Sequence, residues 1–230
     1  MTSSPRQLVF ELPHRPALGL EDFLVSQSNS AAVDLVDRWP DWPVGAAVIT
    51  GPAGSGKSHL ANVWRLRSNA RCLAAVDVNQ MHVPELANEG ALVIEDIDKG
   101  TVDEQALFHL LNLVREQRLA ILITSAPAPG DLDIKLPDLR SRIRALPVAE
   151  IFAPDDALLR AVLVKLFADR QLAVEPNVID YVLVRMERST EAAQRLVDTA
   201  DRLALEMQRA VTRPVAAAAL DAMERLEKSR

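Results

Sequence analysis

The fold of this chain is decided by one stretch, Gly51-Pro52-Ala53-Gly54-Ser55-Gly56-Lys57-Ser58. It fits the pattern G-x-x-x-x-G-K-[ST] at every fixed position. An apolar run at residues 46–50 leads into it, and a helix-permissive stretch at residues 59–64 follows. Glycines let such a loop curl until its N–H groups point inward, and the N-terminus of the next helix adds partial positive charge. The stretch therefore predicts a strand, a phosphate-binding loop and a helix.

The residues of this loop receive separate roles. Lys57 is expected to reach the outer phosphates of a nucleotide, and the Ser58 hydroxyl to hold Mg²⁺. The residues assigned to nucleotide binding are the whole loop and the residue after it: Gly51, Pro52, Ala53, Gly54, Ser55, Gly56, Lys57, Ser58 and His59.

Bulk composition limits the class of protein. The 230 residues, 49% of them apolar, are enough for one α/β domain and a small second domain. A net charge of −6 makes autonomous DNA binding a poor expectation, although it leaves a local basic patch open. The single cysteine, Cys72, excludes an intrachain disulfide and is expected to be buried. No apolar run reaches the roughly 18 residues of a membrane span, so we expect a cytoplasmic protein.

We divide the chain into three parts. Residues 1–17 contain Pro5, Pro13 and Pro16, which predict a flexible tail. Residues 18–152 alternate short apolar runs with helical stretches, which predicts an α/β domain with a parallel five-stranded sheet flanked by helices. Residues 153–230 carry amphipathic patterns that predict a small all-α domain. The predicted strands are 46–50, 72–76, 91–94, 120–124 and 145–148, and the predicted helices include 57–67, 102–117, 137–144, 155–169, 176–187, 190–210 and 214–227.

A second buried strand ends in adjacent carboxylates, Glu95 and Asp96. In a P-loop ATPase the first of two such carboxylates supports Mg²⁺, and the second orients or deprotonates the attacking water. We therefore expect Glu95 to act with Ser58 on Mg²⁺ and Asp96 to be catalytic. Glu95 stands where Asp is commoner, so its tip is displaced by about one bond. A further strand that ends in Thr124 and Ser125 is expected between the two motifs, where it would sense the γ-phosphate.

Two local patterns follow along the α/β part. The helix near 102 opens with Thr101-Val-Asp-Glu104, which predicts a capping box. Arg140, Arg142 and Arg144 alternate on a short helix and do not share one face. They are either solvated side chains that form a weak patch for an acidic partner, or the source of an arginine finger for a γ-phosphoryl group.

Taken together, these motifs resemble the DnaA-related AAA+ family, and within it the shorter Hda-type regulators. The resemblance covers nearly all of the chain. Phe23 corresponds to the entry segment beside the adenine, residues 51–58 to Walker A, residues 92–96 to Walker B and residues 124–127 to the sensor 1 turn. Arg142 falls on the arginine finger. The resemblance implies an AAA+ domain followed by a helical lid, with ADP or ATP and Mg²⁺ as ligands.

The chain departs from the family pattern at sensor 1 and at sensor 2. Ala126 follows the Thr-Ser of sensor 1, where the initiators carry an acidic residue. Glu191 falls where the sensor 2 arginine is expected, with Arg188 and Arg195 as neighbours. A carboxylate at that place would repel a γ-phosphate. Together with Glu95, these departures predict weak autonomous ATP hydrolysis and a nucleotide held as a structural or switching ligand.

The tail contains a second motif, the peptide Q-L-V-F-E-L-P at residues 7–13. It resembles the Q-L-x-[LF]-x-L peptide that docks on the sliding clamp of DNA polymerase III. Gln7 would enter a polar pocket, while Leu8, Phe10 and Leu12 would enter an apolar cleft. Ordering a flexible tail costs entropy, so we expect weak docking that the repeated sites of a ring strengthen by avidity.

The function implied by the resemblance is negative regulation of chromosome replication initiation. The tail would bind the clamp, and Arg142 would stimulate hydrolysis of ATP bound to the initiator DnaA. The chain stops after the lid, where an initiator would continue into a helix-turn-helix, so DNA is expected to be contacted only through the clamp. A homo-oligomer stays open. Two alternatives remain: an adaptor that sequesters the initiator without a catalytic contribution, and a helicase-loader-like ATPase.

Overall fold

The computed structural model of the chain describes residues 23–116 and 119–228. Five strands form one sheet in the order β2-β3-β4-β1-β5, and every pair of neighbouring strands is parallel. The strands are β1 (Ala46–Thr50), β2 (Arg71–Ala74), β3 (Ala91–Glu95), β4 (Ala120–Ser125) and β5 (Val148–Glu150). The predicted α/β fold with a parallel five-stranded sheet is therefore confirmed.

Helices flank this sheet and then continue alone to the end of the described chain. Those within the α/β part are α1 (Ser30–Asp37), α2 (Lys57–Ser68), α3 (Val83–Leu86), α4 (Glu104–Arg115) and α5 (Pro137–Arg144), and a short 3₁₀ turn spans Ala75–Asp77. The later helices are α6 (Asp156–Asp169), α7 (Pro176–Leu183), α8 (Thr190–Met207) and α9 (Arg213–Lys228). None of the helices in the described ranges combines the length and the apolar character that crossing a bilayer requires.

The central strands are buried on both faces, as expected for a parallel sheet that helices cover. Along β1 the side chains alternate between two apolar clusters: Ala46 and Val48 pack with α4 and α5, and Ala47 and Ile49 with α1 and α2. In the second cluster the Trp64 ring is fully buried and stacks on Trp42 with 5.3 Å between the ring centroids. This core holds the edge of the sheet where β1 enters the phosphate loop.

Helices α6 to α9 share a third apolar cluster of their own. Leu196 and Ala200 of α8 are fully buried in it, against partners that include Leu163 of α6 and Val182 of α7. Helix α8 begins at a capped turn, where the Ser189 hydroxyl accepts a hydrogen bond from Ala192 N at 3.0 Å. We refer to α6–α9 as the lid, and the boundary near residue 153 remains our proposal for its start.

Several local predictions need correction. Cys72 is exposed rather than buried, because β2 is the edge strand of the sheet. Residues 75–77 form a 3₁₀ turn instead of continuing that strand, and β5 begins at Val148 rather than at residue 145. The capping box is also wrong. Asp103 caps α4 by accepting from Gln105 N and Ala106 N, and the Glu104 carboxylate accepts instead from the backbone N–H groups of residues 135 and 136.

Candidate functional site

The loop between β1 and α2 has a backbone that depends on its glycines. Gly51 and Gly54 have φ of +147° and +68°. A Cβ atom at Gly51 would lie 2.1 Å from the carbonyl oxygen of Ile151, and one at Gly54 would lie 2.5 Å from the Cβ of Ser189. Both positions therefore exclude any side chain, which explains why the motif needs glycine there.

Lys57 is the first residue of α2 and is largely buried, with 8% of the residue exposed. Its Nζ donates to the carbonyl oxygens of Gly51 at 2.7 Å and Pro52 at 2.9 Å. Burial lowers the pKa of Lys57, and the nearby carboxylates of Asp96 and Asp98 oppose this effect. An ammonium group carries three N–H donors. The two carbonyl oxygens use two of these donors, so one N–H of Lys57 is left to bind a phosphate oxygen at the loop.

A cavity of 710 Å³ opens beside the loop and under the lid. This volume lies within the range of about 300–1,000 Å³ that is usual for small-molecule sites. Residues 53–59 line it, together with Asp96 and the Phe23 ring, which packs edge-on against the ring of His59 with 5.3 Å between centroids. The structure thus brings together most of the sequence-predicted nucleotide residues. Gly51 and Pro52 contribute through the carbonyls that hold Lys57.

The lid is attached directly to the phosphate loop. The backbone N–H and the Oγ1 of Thr190 both donate to the carbonyl oxygen of Gly54, at 2.9 and 2.8 Å. The next residue, Glu191, lines the cavity, as does Gln194 one turn later. The Cβ of Glu191 lies 3.6 Å from the position that a Cβ on Gly54 would take. Glu191 therefore faces the loop, and its correspondence to the sensor 2 position stays a prediction.

The two arginines that flank Glu191 in the sequence do not line the cavity. Arg188 forms an ion pair with Asp156 at 2.6 Å. Arg195 pairs with Glu191 at 3.4 Å and with Glu187 at 3.6 Å. Within the described ranges, helix α8 therefore supplies a carboxylate and an amide to the cavity and no arginine.

The two adjacent carboxylates have different environments. Asp96 lines the cavity, and its backbone N–H donates to the Thr124 hydroxyl at 3.0 Å. Glu95 is not among the lining residues. Its Oε2 accepts from the Cys72 thiol at 3.6 Å, and its Oε1 is buried without a hydrogen-bond partner in the part of the chain that the structure describes. Asp96 thus faces the cavity, while its assignment as the residue that orients or deprotonates water and the assignment of Mg²⁺ to Glu95 both stay predictions.

Mg²⁺ fits this site as an ion carried by the nucleotide. Across residues 23–116 and 119–228, no three His, Cys, Asp or Glu side chains gather into a metal site. Mg²⁺ usually keeps several waters and takes one or two protein ligands beside the phosphates. The Ser58 hydroxyl and the Asp96 carboxylate, which both line the cavity, would hold such an ion together with the phosphates of a bound nucleotide.

The end of β4 ties the two halves of the site together. Besides the hydrogen bond from Asp96, Thr124 receives one from Ile97 N to its carbonyl oxygen at 3.1 Å. At the next turn, Ala126 N donates to the Asp98 carboxylate at 2.9 Å, and Gly51 N donates to the Ala126 carbonyl oxygen at 3.4 Å. Sequence reasoning had assigned this turn to the γ-phosphate and had missed its structural role through Asp98.

The arginines of α5 lie in three separate environments. The Arg142 guanidinium carbon lies 4.4 Å from the centroid of the Phe108 ring, and its Nη1 is buried without a hydrogen-bond partner among the described residues. Arg140 is exposed. Arg144 is also exposed and donates to the carbonyl oxygen of Gly130 at 2.7 Å. Arg142 therefore faces α4, whereas Arg140 and Arg144, four residues apart, lie on the exposed side of α5, so the three arginines do not share one face.

A second cleft, of 910 Å³, lies between the turn after β3, α4 and the start of α5. Acidic residues are frequent in its lining, and no residue of the phosphate loop contributes to it. Although this cleft is larger, it is not the candidate nucleotide site, because neither the N–H groups of the phosphate loop nor Lys57 face it. The clamp-binding residues expected in the tail, Gln7, Leu8, Phe10 and Leu12, lie outside the described residues.

Comparison with known proteins gives the chain relatives among replication initiators. No protein-family model matches it. It is 25% identical over 202 residues to the chromosomal replication initiator protein DnaA of Cutibacterium acnes, covering 75% of this chain and 39% of that protein. It is 24% identical over 212 residues to DnaA of Bacteroides thetaiotaomicron, covering 80% and 45%. An uncharacterized protein of Haemophilus influenzae is 23% identical over 178 residues, covering 72% and 77%. The chain spans less than half the length of these two DnaA proteins.

Solved structures give the same relation at the level of the fold. Domain III of the Thermotoga maritima initiator DnaA superposes with a TM-score of 0.74 at 19% identity, covering 91% of this chain and 98% of that one. AMPPCP-bound DnaA from Aquifex aeolicus superposes with a TM-score of 0.69 at 21% identity, covering 94% and 71%. A Thermotoga maritima RuvB mutant gives 0.67 at 15% identity, covering 86% and 68%. The chain has the fold of domain III of the initiator DnaA.

Proposed function

We propose that this chain binds an adenine nucleotide between its phosphate loop and its lid and, in that form, regulates the replication initiator DnaA. The observation that carries the first part is the cavity itself. Lys57, Ser58 and Asp96 line it, and the lid closes on Gly54. A further support is that the DnaA of Aquifex aeolicus, which has the same fold, binds the ATP analogue AMPPCP. ADP or ATP, with Mg²⁺, is the ligand that these groups suit.

The experiment for nucleotide binding is an equilibrium titration with ADP and AMPPCP in the presence of Mg²⁺. Lys57→Ala should weaken both by about 10- to 100-fold, because a charge-assisted hydrogen bond contributes roughly 1.5–3 kcal/mol. Lys135→Ala is the matched control, since Lys135 is exposed and lies outside the cavity. If wild-type protein binds neither nucleotide, the proposal fails.

The cavity favours holding a nucleotide over turning it over rapidly. Glu191 stands at the loop where a cation would stabilise the γ-phosphate, and Ala126 provides no acidic group at the sensor 1 turn. The Glu95 carboxylate is engaged by Cys72 instead of the cavity. We therefore expect slow ATP hydrolysis by the isolated protein. Rapid turnover in a phosphate-release assay would instead favour the helicase-loader-like alternative.

The regulatory part of the proposal rests on Arg142. Its guanidinium has a buried N–H without a partner in the described chain and lies on the Phe108 ring. Such a cation–π contact contributes only about 0.5–2 kcal/mol. An arginine finger supplied in trans accelerates hydrolysis by about 10³- to 10⁵-fold, or roughly 4–7 kcal/mol. Loss of the Phe108 contact would therefore offset only a part of the transition-state stabilisation that such a finger supplies.

The test of Arg142 is the rate of ATP hydrolysis by DnaA in the presence of this protein and clamp-loaded DNA. Arg142→Ala should abolish the stimulation. Arg140→Ala is the control on the same helix and should retain it. If stimulation survives Arg142→Ala and disappears with Arg140→Ala, the finger is assigned to the wrong arginine.

A second candidate function is an adaptor that sequesters the initiator without a catalytic contribution. The position of Arg142 against Phe108 also favours this reading, because the side chain joins α5 to α4 as a structural residue would. The two candidates differ in the nucleotide recovered from the initiator. A catalytic regulator converts bound ATP to ADP, whereas an adaptor leaves ATP in place.

Clamp binding by the tail is proposed from the sequence of residues 7–13 alone. Replacing both Gln7 and Leu8 by Ala should abolish capture of the protein on immobilised clamp. Replacing Thr2 and Ser3, which precede the peptide, provides the matched control. Undiminished capture by the Gln7 and Leu8 variant would remove the tail as the anchor.

A further inference from the structure

The turn that follows β3 brings a second lysine, Lys99, into the cavity beside Lys57. Sequence reasoning gave it no role, because it stands in no phosphate-binding motif. The side chain of Lys99 is 65% exposed, and its Nζ lies 2.9 Å from Oδ2 of Asp96. A role for this ammonium toward a bound nucleotide rests on the nucleotide binding proposed above.

The backbone of this turn is held in place from several directions. Lys99 N donates to the carbonyl oxygen of Asp96 at 2.9 Å, and Asp96 is itself anchored on β4 through Thr124. Ala126 N holds the Asp98 carboxylate at 2.9 Å. Gly100, with φ of +68°, passes so close to the 3₁₀ turn after β2 that a Cβ would lie 2.7 Å from Cγ1 of Val76. Lys99 thus extends from a fixed turn.

The charges around Lys99 leave its head group free to change partner. Lys99 donates to the Asp96 carboxylate from an exposed position, and an exposed lysine is a cation near neutral pH because its usual pKa is about 10.4. An exposed ion pair contributes little to stability because water screens it. Exchanging the Asp96 carboxylate for a phosphate oxygen therefore costs little.

The acidic side chains that line the cavity favour a further cation on the side of Asp96. The lid presents Glu191 and Gln194 from α8, and the turn presents Asp96, so carboxylates from two sides meet the place of the outer phosphates. A nucleoside triphosphate adds further negative charge there. Lys57 is one cation, and it is already shared with the carbonyls of Gly51 and Pro52. Lys165 and Arg170 of the lid also line the cavity, but they are paired with the carboxylates of Asp169 and Asp198. The turn after β3 adds Lys99 as a further cation on the side of Asp96.

We infer that Lys99 binds the terminal phosphate of a nucleoside triphosphate and thereby makes this site distinguish a triphosphate from a diphosphate. With a diphosphate bound, Lys99 stays on Asp96. With a triphosphate bound, its ammonium moves to the third phosphate and leaves the Asp96 carboxylate free for the metal or for water. A cation from the turn after β3 thus does what an arginine of helix α8 cannot do in this chain.

The test is a comparison of dissociation constants for ADP and AMPPCP at one Mg²⁺ and one salt concentration. Lys99→Ala should raise the dissociation constant for AMPPCP by about tenfold and that for ADP by less than about twofold, since only the third phosphate loses a charged donor. Lys99→Arg should retain most of the preference. Lys135→Ala, the exposed control, should match wild type. Thermal unfolding of each variant confirms that the fold is intact.

Two outcomes overturn the inference on their own. If Lys99→Ala leaves AMPPCP binding unchanged, or weakens ADP and AMPPCP equally, Lys99 does not read the third phosphate, although nucleotide binding itself stands. If wild-type protein binds no ADP, the proposed nucleotide site fails and the role of Lys99 fails with it. The ADP titration of wild type therefore separates the two failures.

Discussion

Replacing Gly54 by alanine is expected to push the lid off the phosphate loop. The new Cβ would lie 2.5 Å from the Cβ of Ser189 and 2.9 Å from its Oγ, both well inside van der Waals contact. Neither segment can move freely, because Ser189 caps α8 and the carbonyl oxygen of Gly54 accepts a hydrogen bond from Thr190. The overlap is relieved only by separating the first turn of α8 from the loop.

The size of the effect follows from two contributions. A residue with a side chain at φ of +68° costs about 1–2 kcal/mol relative to glycine. Separation also breaks the two hydrogen bonds from Thr190 to the Gly54 carbonyl oxygen, each contributing about 1 kcal/mol. We expect Gly54→Ala to lower the free energy of unfolding by about 3–4 kcal/mol and to weaken nucleotide binding, because the lid then no longer closes the cavity.

Gly90→Ala is the matched control for this prediction. Gly90 has φ of +75°, and a Cβ there meets nothing within 4 Å. Gly90→Ala should therefore lower the free energy of unfolding through backbone strain alone, by about 1–2 kcal/mol. Urea unfolding followed by circular dichroism measures both variants. If Gly54→Ala and Gly90→Ala lower the free energy of unfolding equally, the contact between lid and loop does not stabilise the protein and the reasoning is refuted.

Two further predictions concern the α/β part. Asp103→Ala should lower the free energy of unfolding by about 1 kcal/mol, because Asp103 caps α4, whereas Thr101→Ala should have no effect. Urea unfolding in which Thr101→Ala is the more destabilising variant would instead support the capping box at Thr101. Although Cys72 is an exposed residue of the edge strand, neighbouring atoms partly desolvate its thiol, and this desolvation and the Glu95 carboxylate raise its pKa. Glu95→Gln should therefore lower this pKa and shift the pH profile of iodoacetamide alkylation to lower pH, and an unmoved profile would show that the two groups do not interact.

Much of the α/β part follows from local patterns in the sequence. The predicted helix 137–144 matches α5 residue for residue, because Pro137 fixes the first helical turn. The predicted strand 46–50 matches β1, since an unbroken apolar run suits a strand buried on both faces. The phosphate loop can be identified from the sequence alone, because its glycines and Lys57 stand at fixed spacing.

The remaining features depend on which segments meet in space. Cys72 has apolar neighbours in the sequence, and only the strand order shows that β2 is an edge. The bond between Thr190 and Gly54 joins residues 136 positions apart. Lys99 belongs to no motif, and its closeness to Lys57 follows from the course of a turn that Thr124 holds. Sequence patterns report periodicity and local chemistry, and they contain no information on such distant pairs.

The place of β4 between β1 and β3 has a consequence for how a ligand enters. Its last residues hold the phosphate loop on one side, through Ala126, and the acidic turn on the other, through Thr124 and Asp98. The gap between the two halves of the pocket is thus set by hydrogen bonds of the protein itself. An incoming nucleotide does not need to assemble the floor of its own site, so little of its binding energy is lost to ordering there.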